Sequence, residues 1–231
     1  MIVTIIIPAF NEESSLRAVL DSVLAADTAP FGKEIIVVDD GSTDGTAPLL
    51  NEYARERGIN VFRHATNRGK AASIRTALQQ ATGAVILIQD ADLEYSPDDY
   101  RRLLQPFHAM DSGAVYGSRF LQAPWPRNMR PQNWLANKLF TFLTNLLYGA
   151  RLTDEGTAYK AFTAGLIRSL AITCSGFEFC PEVTAKLLKR RIPIIEVPVS
   201  YTARSKKEGK KPGIRDGLKI LWTIVRYRFT D

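Results

Sequence analysis

The first half of the chain alternates short apolar runs with helical patterns. Ile2–Ile7, Glu34–Val38, Asn60–Phe62 and Ala84–Ile88 read as short buried strands. Between them, Glu12–Ala26, Thr46–Gly58 and Lys70–Gln80 read as helices, and in the last of these Ile74, Ala77, Leu78 and Ala81 fall at helical spacing. Pro97 suits the first turn of a further helix, and "GAVYGSRF" reads as another strand. This alternation predicts an α/β fold with a mostly parallel sheet covered by helices on both faces. In such sheets ligands collect beyond the carboxyl ends of the strands. Acids stand at those ends: Asp39 and Asp40 after one run, Asp90 and Asp92 after another, with Glu94 close behind. Alternate residues of an extended chain point the same way, so Asp90, Asp92 and Glu94 would repel unless something positive sits among them. A divalent cation satisfies that need; a solvated strand end is the plainer alternative.

The second half is patterned differently. "PQNWLANKLFTFLTNLLYGA" places Leu135, Leu139, Phe142, Leu143, Leu146 and Leu147 on one helical face. "IRDGLKILWTIVRYRF" repeats the theme with Leu218, Leu221, Trp222 and Val225, flanked by Lys219, Arg226 and Arg228. Apolar faces with interleaved bases and aromatics suit helices lying on a membrane surface, the alternative being packing against the domain or another subunit. No apolar run reaches the ~18–20 residues needed to span a bilayer. The opening "MIVTIIIPAFNEE" reads as a first strand rather than a signal peptide. Neither an internal repeat nor a low-complexity linker marks a boundary, so a single domain over 1–231 is expected.

Composition adds little until charge is placed along the chain. The 45% hydrophobic and 23% charged content is that of an ordinary globular protein. The net charge of +6, however, resolves into +9 from Lys186 onward and −3 over the rest. A basic end suggests a surface for phosphates, anionic lipid or nucleic acid. Because no nucleic-acid module is recognisable, nucleic acid is not an expected partner. Cys174 and Cys180 read as reduced core residues of a cytosolic protein.

Simple motifs fail individually. "DDGSTDGT" starts like a calcium loop, but its twelfth position is Asn51 and the preceding segment is a strand, so it reads as a strand-to-helix turn that Asp44 or Ser42 can cap. "NRGKAAS" lacks the first glycine of a phosphate loop, His64 standing in its place, although Arg68 and Lys70 can still lie near a phosphate. His64 and His108 are isolated and read as surface or packing residues.

The order of segments says more than any one of them. "IIIPAFNEE", "EIIVVDDGSTDGT", "NRGKAAS", "QDADLE", "GSRF" and "EVPVSYTARSKKEGKK" together resemble the family-two inverting glycosyltransferases, and more narrowly the polyprenyl-phosphate (dolichyl-phosphate) mannose and glucose synthases. The resemblance runs from Ile2 to about Phe229. It implies the glycosyltransferase A fold, Rossmann-like, with a nucleotide-sugar-binding half over 1–120. The half over 121–231 would then face acceptor and membrane and carry a basic loop over 203–213. It also implies that Pro8, Phe10 and Glu12 border the nucleoside, that Val38 and Asp40 lie beside the base, and that Asp90 and Ala91 face the ribose or diphosphate. Asp92 and Glu94 would hold Mg²⁺ or Mn²⁺. Arg119, Arg204 and Lys210 would meet the leaving diphosphate, and "ARSKKEGKKPG" resembles a lid over it.

The implied activity is metal-dependent, inverting transfer of mannose or glucose from a GDP- or UDP-sugar to a polyprenyl phosphate, by a cytoplasmic, peripherally membrane-associated enzyme. A lipid phosphate is already anionic near neutrality and needs no general base. A hydroxyl acceptor would need one, and Asp154 in "TDEGTAYKAF" is the candidate; Lys160 in the same block could instead bind an acceptor phosphate. That block departs from the D-P-x-S-G-F form of the lipid-phosphate synthases. The alternatives are transfer to a soluble or glycan hydroxyl, and a non-catalytic nucleotide-sugar-binding protein.

Overall fold

All four predicted apolar runs are strands in the computed structural model, which describes residues 1–108, 113–204 and 213–230. β1 (Ile2–Ala9), β2 (Gly32–Asp39), β3 (Asn60–Arg63) and β4 (Val85–Ile88) are separated by α1 (Glu13–Ala25), α2 (Thr46–Arg57) and α3 (Lys70–Gln80). The helix expected after Pro97 starts as one 3₁₀ turn, Pro97–Asp99, and continues as α4 (Tyr100–His108). "GAVYGSRF" divides. β5 (Ala114–Ser118) stops where the Ser118 hydroxyl accepts the Leu121 N–H, which opens the short α5 (Arg119–Gln122).

α6 (Pro131–Tyr148) follows as the first of the two apolar-faced helices. Next come four elements that the hydrophobic pattern did not single out: β6 (Lys160–Thr163), α7 (Ala164–Ser169), α8 (Phe179–Lys189) and β7 (Ile194–Pro198). The second apolar-faced helix, α9 (Ile214–Phe229), comes last.

The sheet has the order β3-β2-β1-β4-β6-β5-β7. It is parallel except at β6, which runs antiparallel to both β4 and β5. Strand residues alternate between two cores, which is why the runs read as continuously apolar. Val3, Ile5 and Ile7 of β1, Ile35 and Val37 of β2, and Val85 and Leu87 of β4 meet α1, α2 and α4 on one face. Ile6, Ile36, Val38, Ile86 and Ile88 meet α3 and α8 on the other. Burying each such side chain contributes on the order of 1.5–3 kcal/mol, so the sheet is a stiff platform for whatever its ends carry.

Those ends converge where β1 lies between β2 and β4, the point at which the strand order reverses. The loops there are tied to one another. Ser42 Oγ accepts the Asn11 N–H (3.0 Å), Asn11 Oδ1 accepts the Thr43 N–H (2.8 Å), and Thr46 Oγ1 accepts the Glu12 N–H (3.0 Å). Asp44 accepts from Thr46 as expected of a turn residue, whereas Ser42 serves the neighbouring loop instead of its own helix. Gly69 has φ +96, and a Cβ there would collide with the Ser175 carbonyl oxygen. That close approach seats residues 174–177 against the start of α3, where the Ala72 N–H reaches Ser175 O at 3.2 Å.

Two expectations need correction. Cys174 and Cys180 are free and half-buried, packed against the core beneath α3 and α8 rather than wholly inside it. The predicted apolar faces are also split. Leu143, Leu147 and Leu221 are half-buried, because α6 and α9 pack against one another and the Tyr148 hydroxyl donates to Ile224 O (2.8 Å). Leu135, Leu139, Phe142 and Leu146 of α6 and Leu218, Trp222, Val225 and Phe229 of α9 remain outside, 39% to 79% exposed. Among the described residues no helix is long and apolar enough to cross a membrane.

Candidate active site

A cavity of about 720 Å³ opens beyond the carboxyl ends of β1, β2 and β4. Pro8, Phe10, Glu12, Asp40, Asp90, Ala91, Asp92 and Arg204, drawn from distant parts of the sequence, all line it. Asn67, Arg68, Gly69 and Lys70 close one side, and Ser175–Glu178 with Asp216 and Lys219 of α9 close another. Val38 lies beneath it, wholly buried. Lys210 and most of the loop over 203–213 lie outside the described residues.

Charge is arranged in opposed pairs along the cavity floor. The Lys70 ammonium meets the Asp90 carboxylate. Burial works against that ammonium, but Asp90 outweighs it and raises the lysine above its ordinary value. Arg204 spans three acids. Its Nη2 is 2.8 Å from Asp92 Oδ2, its Nη1 is 3.1 Å from both Glu12 oxygens, and its backbone N–H donates to Glu94 Oε1 at 2.8 Å. Burial, with Asp90 and Glu94 close by, pushes Asp92 up to about 7 against the pull of Arg204. A carboxylate that resists ionisation in this way gains most from additional positive charge.

Hard oxygen donors at Asp92 and Glu94 fit Mg²⁺ or Mn²⁺ in kind. Glu94 is the more committed of the two, since its Oε2 also accepts from the Tyr201 hydroxyl (2.8 Å). No group of three or more His, Cys, Asp or Glu side chains among the described residues is arranged to enclose a metal by itself.

Arg119 and Asp154 do not reach the cavity, and this corrects the roles expected of them. Asp154 is wholly buried and grips Arg119 through Nε and Nη2, both at 2.7 Å, and through its backbone N–H at 3.0 Å. Burial disfavours the guanidinium, but Asp154 more than compensates and Arg119 is raised well above its ordinary value. Arg119 also stacks on Tyr201 at 5.1 Å, so the pair supports the residue that holds Glu94. A general base must reach the proton it takes, and a carboxylate spent on three donors behind the site does not. Lys160 is likewise wholly buried, its ammonium donating to Glu155 O (2.9 Å) and lying 3.5 Å over the Tyr116 ring; burial lowers it. It faces this inner cluster, away from the cavity.

Several residues escaped the sequence reading. Lys70 sat in a noted motif but without its acid partner. Ser175–Glu178, Asp216 and Lys219 carry no motif at all. Glu182 of α8 shapes the wall they form, accepting the Thr173 and Cys174 N–H groups (both 2.8 Å) and the Lys186 ammonium (2.6 Å). Burial alone would raise Glu182, but these donors bring it down to about 2. His64, expected at the surface or in packing, is buried behind the cavity and bonds to Asp40.

Comparison with known proteins bears on family and fold. The sequence model of the family described as Glycosyl transferase family 2 matches residues 4–170. The chain is similar to the undecaprenyl-phosphate 4-deoxy-4-formamido-L-arabinose transferase of Aeromonas hydrophila subsp. hydrophila, 28% identical, covering 97% of this chain and 67% of that protein. It is similar to the UDP-N-acetylglucosamine–dolichyl-phosphate N-acetylglucosaminyltransferase of Methanococcus voltae, 29% identical over 97% of this chain and 95% of that protein. It is also similar to the undecaprenyl-phosphate mannosyltransferase of Micrococcus luteus, 30% identical over 99% of both. Among solved structures, glucosyl-3-phosphoglycerate synthase from Mycobacterium tuberculosis, in complex with Mn²⁺, UDP and phosphoglyceric acid, superposes with a TM-score of 0.74. It is 17% identical, and the match covers 100% of this chain and 79% of that one. That likeness is one of fold, the glycosyltransferase A fold.

Two predictions follow from the buried acids. Asp154→Asn breaks a buried ion pair and costs about 3 kcal/mol or more of unfolding free energy in chemical denaturation; a variant of unchanged stability that lacks turnover would restore Asp154 as a base. Glu182→Gln destabilises the protein by about 2 kcal/mol at neutral pH. Because the folded value of Glu182 lies below its ordinary 4.5, its stabilisation is complete above 4.5 and is lost as pH falls toward 2. The gap in melting temperature between wild type and variant should therefore narrow between pH 5 and pH 3, read by calorimetry at about those values; a gap that widens with acid would contradict the assignment.

Proposed function

The chain belongs to glycosyl transferase family 2, and on that footing we propose that it moves a hexose from a nucleoside-diphosphate sugar to a polyprenyl phosphate at a membrane surface. One observation carries the reading: the paired charges Lys70–Asp90 and Arg204–Asp92 on the cavity floor. A diphosphate needs cations, a divalent ion needs carboxylates, and this arrangement holds both in reserve. With a diphosphate and its ion bound, Arg204 and Lys70 would serve the phosphate oxygens, and Asp92, helped by Glu94, would hold the ion. Mg²⁺ or Mn²⁺ bound there supplies Lewis-acid stabilisation of the charge that grows on the leaving diphosphate. Arg204, once released from Asp92, would add a second positive charge at the same place. Glu12 orients Arg204, and Pro8 and Phe10 border the nucleoside.

The locked Arg119–Asp154 pair favours an acceptor that arrives already ionised. A phosphate monoester meets that condition at neutral pH, its second pKa being about 6. The named activities of the relatives in Aeromonas, Methanococcus and Micrococcus, all on undecaprenyl or dolichyl phosphate, support the same acceptor class. The exposed rows of α6 and α9 support a membrane location. Eight large apolar side chains at i, i+4, i+7 and i+11 form a face that soluble surfaces seldom leave bare. Lys138, Lys219, Arg226 and Arg228 border it, as at an anionic headgroup layer. α9 also lends Asp216 and Lys219 to the cavity wall, so a helix on the membrane would bring the donor site beside the acceptor headgroup.

The direct test is incubation with GDP- or UDP-hexoses, polyprenyl phosphate and Mn²⁺. A polyprenyl-phosphate sugar should form, and Asp92→Asn should lower its rate by roughly a hundredfold or more while leaving the protein folded. Transfer to a soluble glycan but never to the lipid phosphate would replace the acceptor. In cosedimentation, the protein should pellet with anionic vesicles at low salt and be released as salt rises. Combining Leu139→Gln with Trp222→Gln should leave it in the supernatant; pelleting equal to wild type would remove the two helices from the membrane contact.

A further inference from the structure

Among the described residues no side-chain ammonium or guanidinium pairs with the cavity-lining Asp40, and its partners are unusually complete. It is 3% exposed. Its Oδ1 accepts from His64 Nδ1 (2.6 Å) and from the Arg68 N–H (2.9 Å), and its Oδ2 accepts from the Gly69 N–H (2.7 Å). A carboxylate has about four acceptor positions. Three are taken by the protein, both of those on Oδ1 among them, so one on Oδ2 is left for a ligand. His64 is itself fixed, for its Nε2 meets Thr76 Oγ1 at 2.9 Å. A carboxylate accepts only, so Nδ1 donates to Asp40 while Nε2 is held against the threonine hydroxyl.

A single acceptor position discriminates among bases. Uracil offers one ring N–H, flanked on each side by a carbonyl. Asp40 can take that N–H, and the cavity-lining side chains of Asn67 and Arg68, both exposed, carry donors for the carbonyls. Guanine presents a ring N–H and an amino group side by side, a pair that asks for both oxygens of a carboxylate, and Oδ1 is full. Adenine and cytosine can offer an amino N–H, but the ring nitrogen lone pair beside it then faces the carboxylate and is repelled. From this we infer that the donor site selects uracil over guanine, and that His64 is the positioning residue that enforces the choice by filling Oδ1. The inference rests on the transferase reading only in supposing that a nucleotide enters this cavity; it names which one.

Isothermal titration of the wild-type chain with UDP, GDP, ADP and CDP, each with Mn²⁺, tests it. UDP should bind about tenfold or more tightly than GDP, because a site whose buried polar groups are left mismatched rejects the wrong partner strongly. His64→Leu empties a position on Oδ1, so the ratio of UDP to GDP affinity should narrow, whereas His64→Gln keeps a donor and should preserve it. A merely structural histidine would weaken both nucleotides alike and leave the ratio unmoved. Should His64→Leu fail to fold, the wild-type ranking still decides. GDP binding as tightly as UDP overturns this inference and leaves the transferase standing. Failure to bind any nucleoside diphosphate overturns both.

Discussion

Carboxylates gathered at the ends of a parallel sheet repel one another, and every functional feature of this protein answers that repulsion. Asp90 has Lys70, Asp92 has Arg204, and Asp154 has Arg119. Asp40 is answered by N–H donors instead, from His64 and the backbone at Arg68 and Gly69. The distinction divides the cavity into two kinds of surface. On the proposed function, a pair with a side-chain cation would be exchanged for a diphosphate and a metal ion, and a carboxylate held by N–H groups would be kept for recognition.

The same reasoning separates working groups from supporting ones. Breaking a buried pair leaves an uncompensated charge, so Arg119–Asp154 is a rigid strut. Tyr201 links that strut to Glu94, and Glu94 in turn holds the Arg204 backbone. Glu182 does for the loop over 173–178 what Asp154 does for Arg119, using its acceptor capacity to fix a wall. Such preorganisation is what an electrostatic site requires, because dipoles and charges already in place need not reorient as charge develops.

α9 joins the two halves of the reading. One end contributes Asp216 and Lys219 to the cavity, while Leu218, Trp222, Val225 and Phe229 face outward with the row on α6. On the proposed function, a helix that is both cavity wall and apolar surface would bring a water-borne donor close to a lipid-borne acceptor.

Local pattern was enough for much of this. The apolar runs β1 to β4, the helices between them and the acids at the strand ends were legible because strand and helix periodicity depend on neighbours within a few residues. The ordered blocks from "IIIPAFNEE" to "EVPVSY" likewise pointed to family and fold. What the sequence could not rank was which acid meets which cation. Asp154 and Arg204 look equally available on paper, yet one is sealed behind β5 and the other lies across three carboxylates. His64 looked incidental because its partner is 24 positions away. β6, inserted antiparallel between β4 and β5, is likewise a matter of pairing between distant segments. Burial and partner choice are set by the packed whole, since desolvation and distance govern the energy of a charge far more than its place along the chain.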